Sequence, residues 1–150
     1  MRTLILTLAV LTSISTLAQQ SSQSPKEVSE RYTLTVVIEG VNEKDGNMGV
    51  LVYTSQKGWP EEIRYALRDI IVPPQPGVMT VEIPDLPAGT YAVAVCHDVN
   101  KNRKLDKNFL GMPREQWGLS NNPHATIKAP PFSKSQFALK SNMTIHVIMR

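Results

Sequence analysis

Four oxygen-bearing side chains, Asp98, Asn100, Asn102 and Asp106, recur along one polar loop. Alternate residues in a tightly curled loop converge their side-chain oxygens, which suits a hard cation that takes six or more oxygen ligands. The spacing follows the calcium-loop template D-x-[DN]-x-[DN], with the Lys104 carbonyl at its seventh position. The expected ligand set is therefore Asp98, Asn100, Asn102, Lys104 and Asp106, and calcium is the one cofactor the sequence suggests. Arg103 occupies the sixth position, where the template uses Gly for its sharp turn, and Phe109 replaces the bidentate Glu of the twelfth. Lys101, Arg103, Lys104 and Lys107 outnumber the two acids, which weakens the pull on a cation. The expected affinity lies at the weak end, about 0.1–1 mM. Without an ion the same side chains would cap turns by bonding their own backbone.

Two further chemistries lie beside the loop. His97 next to Asp98, with Arg114, Glu115 and His124 nearby in sequence, supplies the groups of an acid–base catalyst. No nucleophile elbow, HExxH run or second His at metal spacing accompanies them, so no catalytic residue is assigned and an enzyme stays the alternative. The favoured expectation is a non-enzymatic binding module. Its ligand surface would take in His97, Arg114, Glu115, Trp117, Asn121 and Asn122, and its partner would be a small ligand, a glycan or an envelope protein. A structural module that offers an edge strand to another envelope protein is a further alternative.

The elements that must position these residues are strands. Thr90 to His97 alternates large and small, with Tyr91, Val93 and Val95 on one face and Ala92, Ala94 and Cys96 on the other. Both faces are apolar, so this strand belongs in the middle of a sheet, and Cys96 reads as a small buried hydrophobe. Tyr32, Leu34, Val36 and Ile38 alternate with polar residues, which predicts a half-buried strand. Met48 to Thr54 follows after a Gly/Asn turn, and the two read as a hairpin with a long loop. Trp59-Pro60-Glu61-Glu62 predicts one helical turn, with Trp59 packed over a sheet edge. Further strands are expected at Arg68 to Val72, Val78 to Ile83, Phe137 to Leu139 and Met143 to Met149. About seven short strands with Gly/Pro turns predict an all-β fold: a single antiparallel β-sandwich with one long functional loop.

At 150 residues the chain allows one domain with a substantial core. Arg2, the apolar run Leu4 to Leu17 and Thr16-x-Ala18 form the pattern of a secretory signal peptide over 1–18, too short for a membrane span. Residues 19–30 read as a disordered linker and 31–150 as the sandwich. Export to a periplasm, or secretion, is the expected location. The single cysteine allows no internal disulfide. The formal charge of +3 is scattered rather than clustered, which argues against nucleic acid.

The run LPAGTYAVAVCHDVNKNRKLDKNFLGMPREQWGLSNN, with Pro130-Pro131-Phe132 and Phe137, resembles an exported bacterial family labelled domain of unknown function twenty-one forty-one. The resemblance covers about Tyr32 to the C-terminus, departs from the family at Arg103 where Gly is usual, and implies no activity. More loosely, the LPAGTY turn is similar to transthyretin-like and carboxypeptidase-regulatory-like sandwiches, which implies an accessory or binding role.

Overall fold

The computed structural model describes residues 30–124 and 128–150. The signal peptide and nearly all of the linker expected above lie outside the described residues.

Eight strands form two sheets: β1 (Arg31–Val41), β2 (Asn47–Tyr53), β3 (Arg68–Val72), β4 (Gly77–Pro87), β5 (Gly89–Asp98), β6 (Trp117–Leu119), β7 (Phe137–Leu139) and β8 (Met143–Ile148). One sheet runs β4-β1-β8; the other runs β3-β2-β5, with β6 and β7 pairing successive stretches of β5. The all-β sandwich expected from the sequence is the observed architecture.

Its core follows from period-two alternation. Leu34, Val36 and Ile38 of β1, beside Val81 and Ile83 of β4, face Val50 and Val52 of β2 and Val93 and Val95 of β5, all essentially buried. Each such side chain stabilises the fold by roughly 1.5–3 kcal/mol before conformational entropy is subtracted. β5 is central as expected, covered on its inner face by this core and on its outer face by a second cluster.

That second cluster explains two differences from the sequence expectations. β1 and β2 are not a hairpin: β1 pairs with β4 and β8, while β2 pairs with β3 and β5. The outward residues of β1 include Thr33, Thr35 and Glu39, suited to water, whereas those of β2 are Gly49, Leu51 and Tyr53, which need cover. Strands with such different outer faces belong in different sheets. The sandwich is also not wholly antiparallel, because β8 runs parallel to β1, with Val36 opposite Ile145 and Ile38 opposite Val147. A parallel pair requires a crossover, and the chain makes it by leaving β7 in one sheet for β8 in the other.

The cover on β2 and β5 comes from the 56–66 segment and the short helix α1 (Phe132–Ser135). The helical turn expected at Trp59–Glu62 falls later, as a 3-10 turn at Ile63–Tyr65. Trp59 sits edge-on between Tyr53 and Phe132 and donates its Nε1–H to the Pro130 carbonyl at 2.9 Å. It packs over the sheet, as the sequence suggested. Gly118 lets β6 approach β8: a Cβ there would lie 2.6 Å from Val147 Cγ1 and 2.8 Å from the Ile148 carbonyl oxygen.

Candidate functional site

Beyond the Trp59 cluster, the outer face of β2 and β5 is left with a trough. Its floor is small by sequence: Gly49 lies opposite Cys96, and Ala94 opposite Leu51. Its walls are apolar, from Ile63 of the 3-10 turn, Ile71 of the edge strand β3, and Trp117 and Leu119 of β6. The trough holds about 80 Å³ of free space. Pockets that engulf whole small molecules run roughly 300–1,000 Å³, so this one has room for a single apolar group.

The polar loop straps the mouth. Arg103 pairs with Asp69 and Lys107 with Glu61, the latter through both carboxylate oxygens at 2.7 Å, and Asp69 and Glu61 are trough residues. Leu105 points its apolar surface towards the same space. Both ion pairs are largely exposed, so each is worth at most about 1 kcal/mol and weakens with salt. A strap so held can lift.

The loop's own oxygens mostly serve the loop. Asp98, only 7% exposed, accepts the N–H of Asn102 at 3.0 Å and of Arg103 at 2.7 Å. Asn100 Oδ1 accepts from the Asn102 N–H, and Asn102 Oδ1 from the Lys104 N–H at 2.8 Å. Both Asn side chains donate to the Asp106 carboxylate, at 2.7 and 2.9 Å. Asp98, Asn100, Asn102 and Asp106 are thus tied to one another and to the loop backbone as nested turns, which Lys104 joins through its N–H. Arg103 takes a left-handed φ of 62°, the conformation for which the template keeps Gly. Among the described residues no group of three or more His, Cys, Asp and Glu is placed to hold a metal ion.

The ligand surface expected from the sequence divides. Trp117 lines the trough, half-buried, with the Arg150 guanidinium 6.0 Å from its ring centroid. His97 is not on a surface: it is 1% exposed on the inner face, its Nε2 2.7 Å from the Asp45 carbonyl oxygen. It clamps the 42–46 connection to the end of β5. Because successive strand residues point oppositely, His97 and Asp98 form no acid–base pair. Glu115 closes the loop's neck, accepting the N–H groups of Val99 and Asp106 at 2.9 and 3.0 Å. Arg114 is exposed beside it. Asn121 donates to the Gln136 carbonyl, and Asn122 accepts the Ile148 N–H while donating to the His146 carbonyl. These two asparagines tie the 121–122 turn to β8 and to the α1 segment.

The floor, Gly49, Ala94 and Cys96, was missed by sequence reasoning. For Ala94 and Cys96 the signal was present: Ala92, Ala94 and Cys96 are small outward residues of a strand whose inward residues are large. That pattern makes a hollow as readily as a tightly covered face.

Cys96 faces this hollow as a protonated thiol. Burial, then the charges of Glu115, Asp98 and other acids, pushes its thiol from 9.0 up to about 12. The neutral thiol is the folded-state form, so its contribution is complete below pH 9 and is lost as pH rises towards 12. Near pH 8 the folded protein should alkylate with iodoacetamide roughly two to three orders of magnitude more slowly than the denatured chain, since the thiolate is the reactive species. Equal rates would show that Cys96 is open to water and that the trough floor is wet.

Comparison with known proteins gives one match. The model of a family described as "Uncharacterized protein conserved in bacteria (DUF2141)" matches residues 36–146. No curated protein and no solved structure matches the chain.

Proposed function

Given that the chain belongs to this family of uncharacterized bacterial proteins, we propose that it is an exported, non-enzymatic binding module. Its ligand seats an apolar end, a branched or aromatic group, in the trough over Gly49, Ala94 and Cys96. One observation carries the reading: an apolar hollow, walled by the 3-10 turn, β3 and β6, whose mouth is strapped by two solvent-accessible ion pairs. Export rests on the pattern of residues 1–18. A small ligand or a partner's side chain suits the apolar lining better than a glycan, whose hydroxyls would find few polar groups there.

Gly49 offers a clean test. A Cβ on it would meet only the Cys96 carbonyl oxygen, at an ordinary 3.7 Å, so the backbone tolerates a side chain that grows towards the hollow. The apolar dye anilinonaphthalene sulfonate should bind the native protein, and Gly49→Leu should abolish that binding. Melting temperature should hold or rise, because Gly weakens a strand interior. Dye binding that is absent from the wild type, or unchanged in the variant, would sink the proposal.

Calcium at the loop is a second reading, favoured by Arg103, whose left-handed backbone makes the sharp turn that the template places at its sixth position. At tenfold excess over Kd, calcium should then add about 1.4 kcal/mol, a melting shift of several degrees. The shift should vanish in Asp98→Ala. A melting temperature indifferent to calcium and chelator leaves the loop as a strap alone.

A further inference from the structure

We propose that the turn at residues 108–112 is a membrane-docking tip that settles into the surface of a bilayer carrying anionic headgroups. Phe109 is 94% exposed, Leu110 66% and Met112 41%. Three large apolar side chains at one turn are an unusual cost to present to water. They belong neither to the core nor to the second cluster, and none lines the trough.

The tip is built to leave water. Entering an apolar medium is expensive for backbone groups that lack partners. Here the Asn108 N–H donates to the Met112 carbonyl at 2.8 Å, and the Gly111 N–H to the Asn108 carbonyl at 2.9 Å. Asn108 Oδ1 accepts two more N–H groups, from Leu110 at 2.9 Å and Met112 at 3.0 Å. Pro113 has no N–H, and the Arg114 N–H is bonded to the Asp106 carbonyl at 2.7 Å. A bridge between Lys107 and Pro113 closes the base of the turn. The turn is therefore fixed by its own bonds, with its apolar side chains free.

Charge selects the surface. Residues 107–114 carry Lys107 and Arg114 and no acid. The acids on either side are turned inward: Asp106 accepts from Asn100 and Asn102, and Glu115 from two backbone N–H groups. Lys107 is offset by Glu61, but Lys101, Lys104 and Arg114 are exposed and make no ion pair among the described residues. An exposed apolar turn followed at once by the uncompensated Arg114, in a loop that also carries Lys101 and Lys104, fits an anionic lipid interface, where aromatic and aliphatic side chains enter the headgroup boundary and cations meet phosphate.

The chain beginning at Gln19, which excludes the apolar run of residues 4–17, should be sedimented with vesicles of phosphatidylcholine alone or mixed with phosphatidylglycerol. It should partition onto the mixed vesicles, and more weakly as salt rises. Phe109→Ser combined with Leu110→Ser should weaken partition roughly tenfold or more. Its melting temperature should be unchanged, because these side chains face solvent. Arg114→Glu should remove the preference for the anionic lipid. A Phe109→Trp reporter should shift its fluorescence to the blue on mixed vesicles. Failure of the wild type to sediment with either vesicle would overturn the proposal and leave the tip as a knob for a protein socket. Equal partition of the double-serine variant would overturn it as well.

Discussion

Val95→Asp should leave the domain unfolded at room temperature. Val95 is 2% exposed on the inner face of β5, between its partners Val50 of β2 and Gly118 of β6. The substitution removes a buried apolar side chain, worth roughly 1.5–3 kcal/mol, and brings in a carboxylate among Val, Leu and Ile neighbours. Removing the charge from water without a partner adds several kcal/mol more, or forces the group to stay protonated at similar cost. Domains of this size have about 5–15 kcal/mol in all. Far-UV circular dichroism and a urea titration read the outcome. The smaller change Val95→Ala should stay folded and lose about 1–3 kcal/mol, which separates charge from lost packing. A Val95→Asp protein that melts like the wild type would remove β5 from the centre of the sandwich.

Gly46→Ala should cost about 3 kcal/mol, a large sum for one methyl group. Gly46 has φ +88°, where any side chain is strained by roughly 1–2 kcal/mol. Its Cβ would also press on the backbone where β5 becomes the loop, 2.6 Å from Val99 Cα. Relief requires Asp98 and Val99 to move, and overpacking of this kind costs a further 1–3 kcal/mol. Because Asp98 organises the Asn102 and Arg103 N–H groups, the damage should spread to the strap. The variant should show both a lower urea midpoint and faster backbone amide exchange at Asn102 and Arg103. Loss of stability with unaltered exchange at those two amides would uncouple the 42–46 connection from the loop.

Alternation made much of the fold legible. The inward sets Leu34-Val36-Ile38 and Tyr91-Val93-Val95 were readable because period two leaves no other face for them. Pairing was not readable, since β1 and β2 adjoin in sequence yet choose different sheets on the character of their outer faces. The site was legible as a region: the polar loop and Trp117 do border the trough. Its floor was hidden because Gly49, Ala94 and Cys96 look the same whether a cover sits on them or not. His97 misled for the opposite reason. A histidine next to an aspartate invites chemistry, but adjacency in a strand separates two side chains across the sheet.

The parallel pairing of β1 with β8 sets the order in which the molecule can be made. Thr33 near the start of β1 is bonded to Asn142, 109 residues further on. As the chain leaves a ribosome, β1 can meet β4 early, but its other edge stays open until β8, the last strand, has emerged. An open edge invites pairing with a stranger, and closing so long a loop is slow. Val147 and Met149 complete the core only at that moment. Vectorial synthesis therefore cannot finish this sandwich piecemeal. Until residues 143–149 are made, β1 keeps one edge unpaired and the core lacks Val147 and Met149.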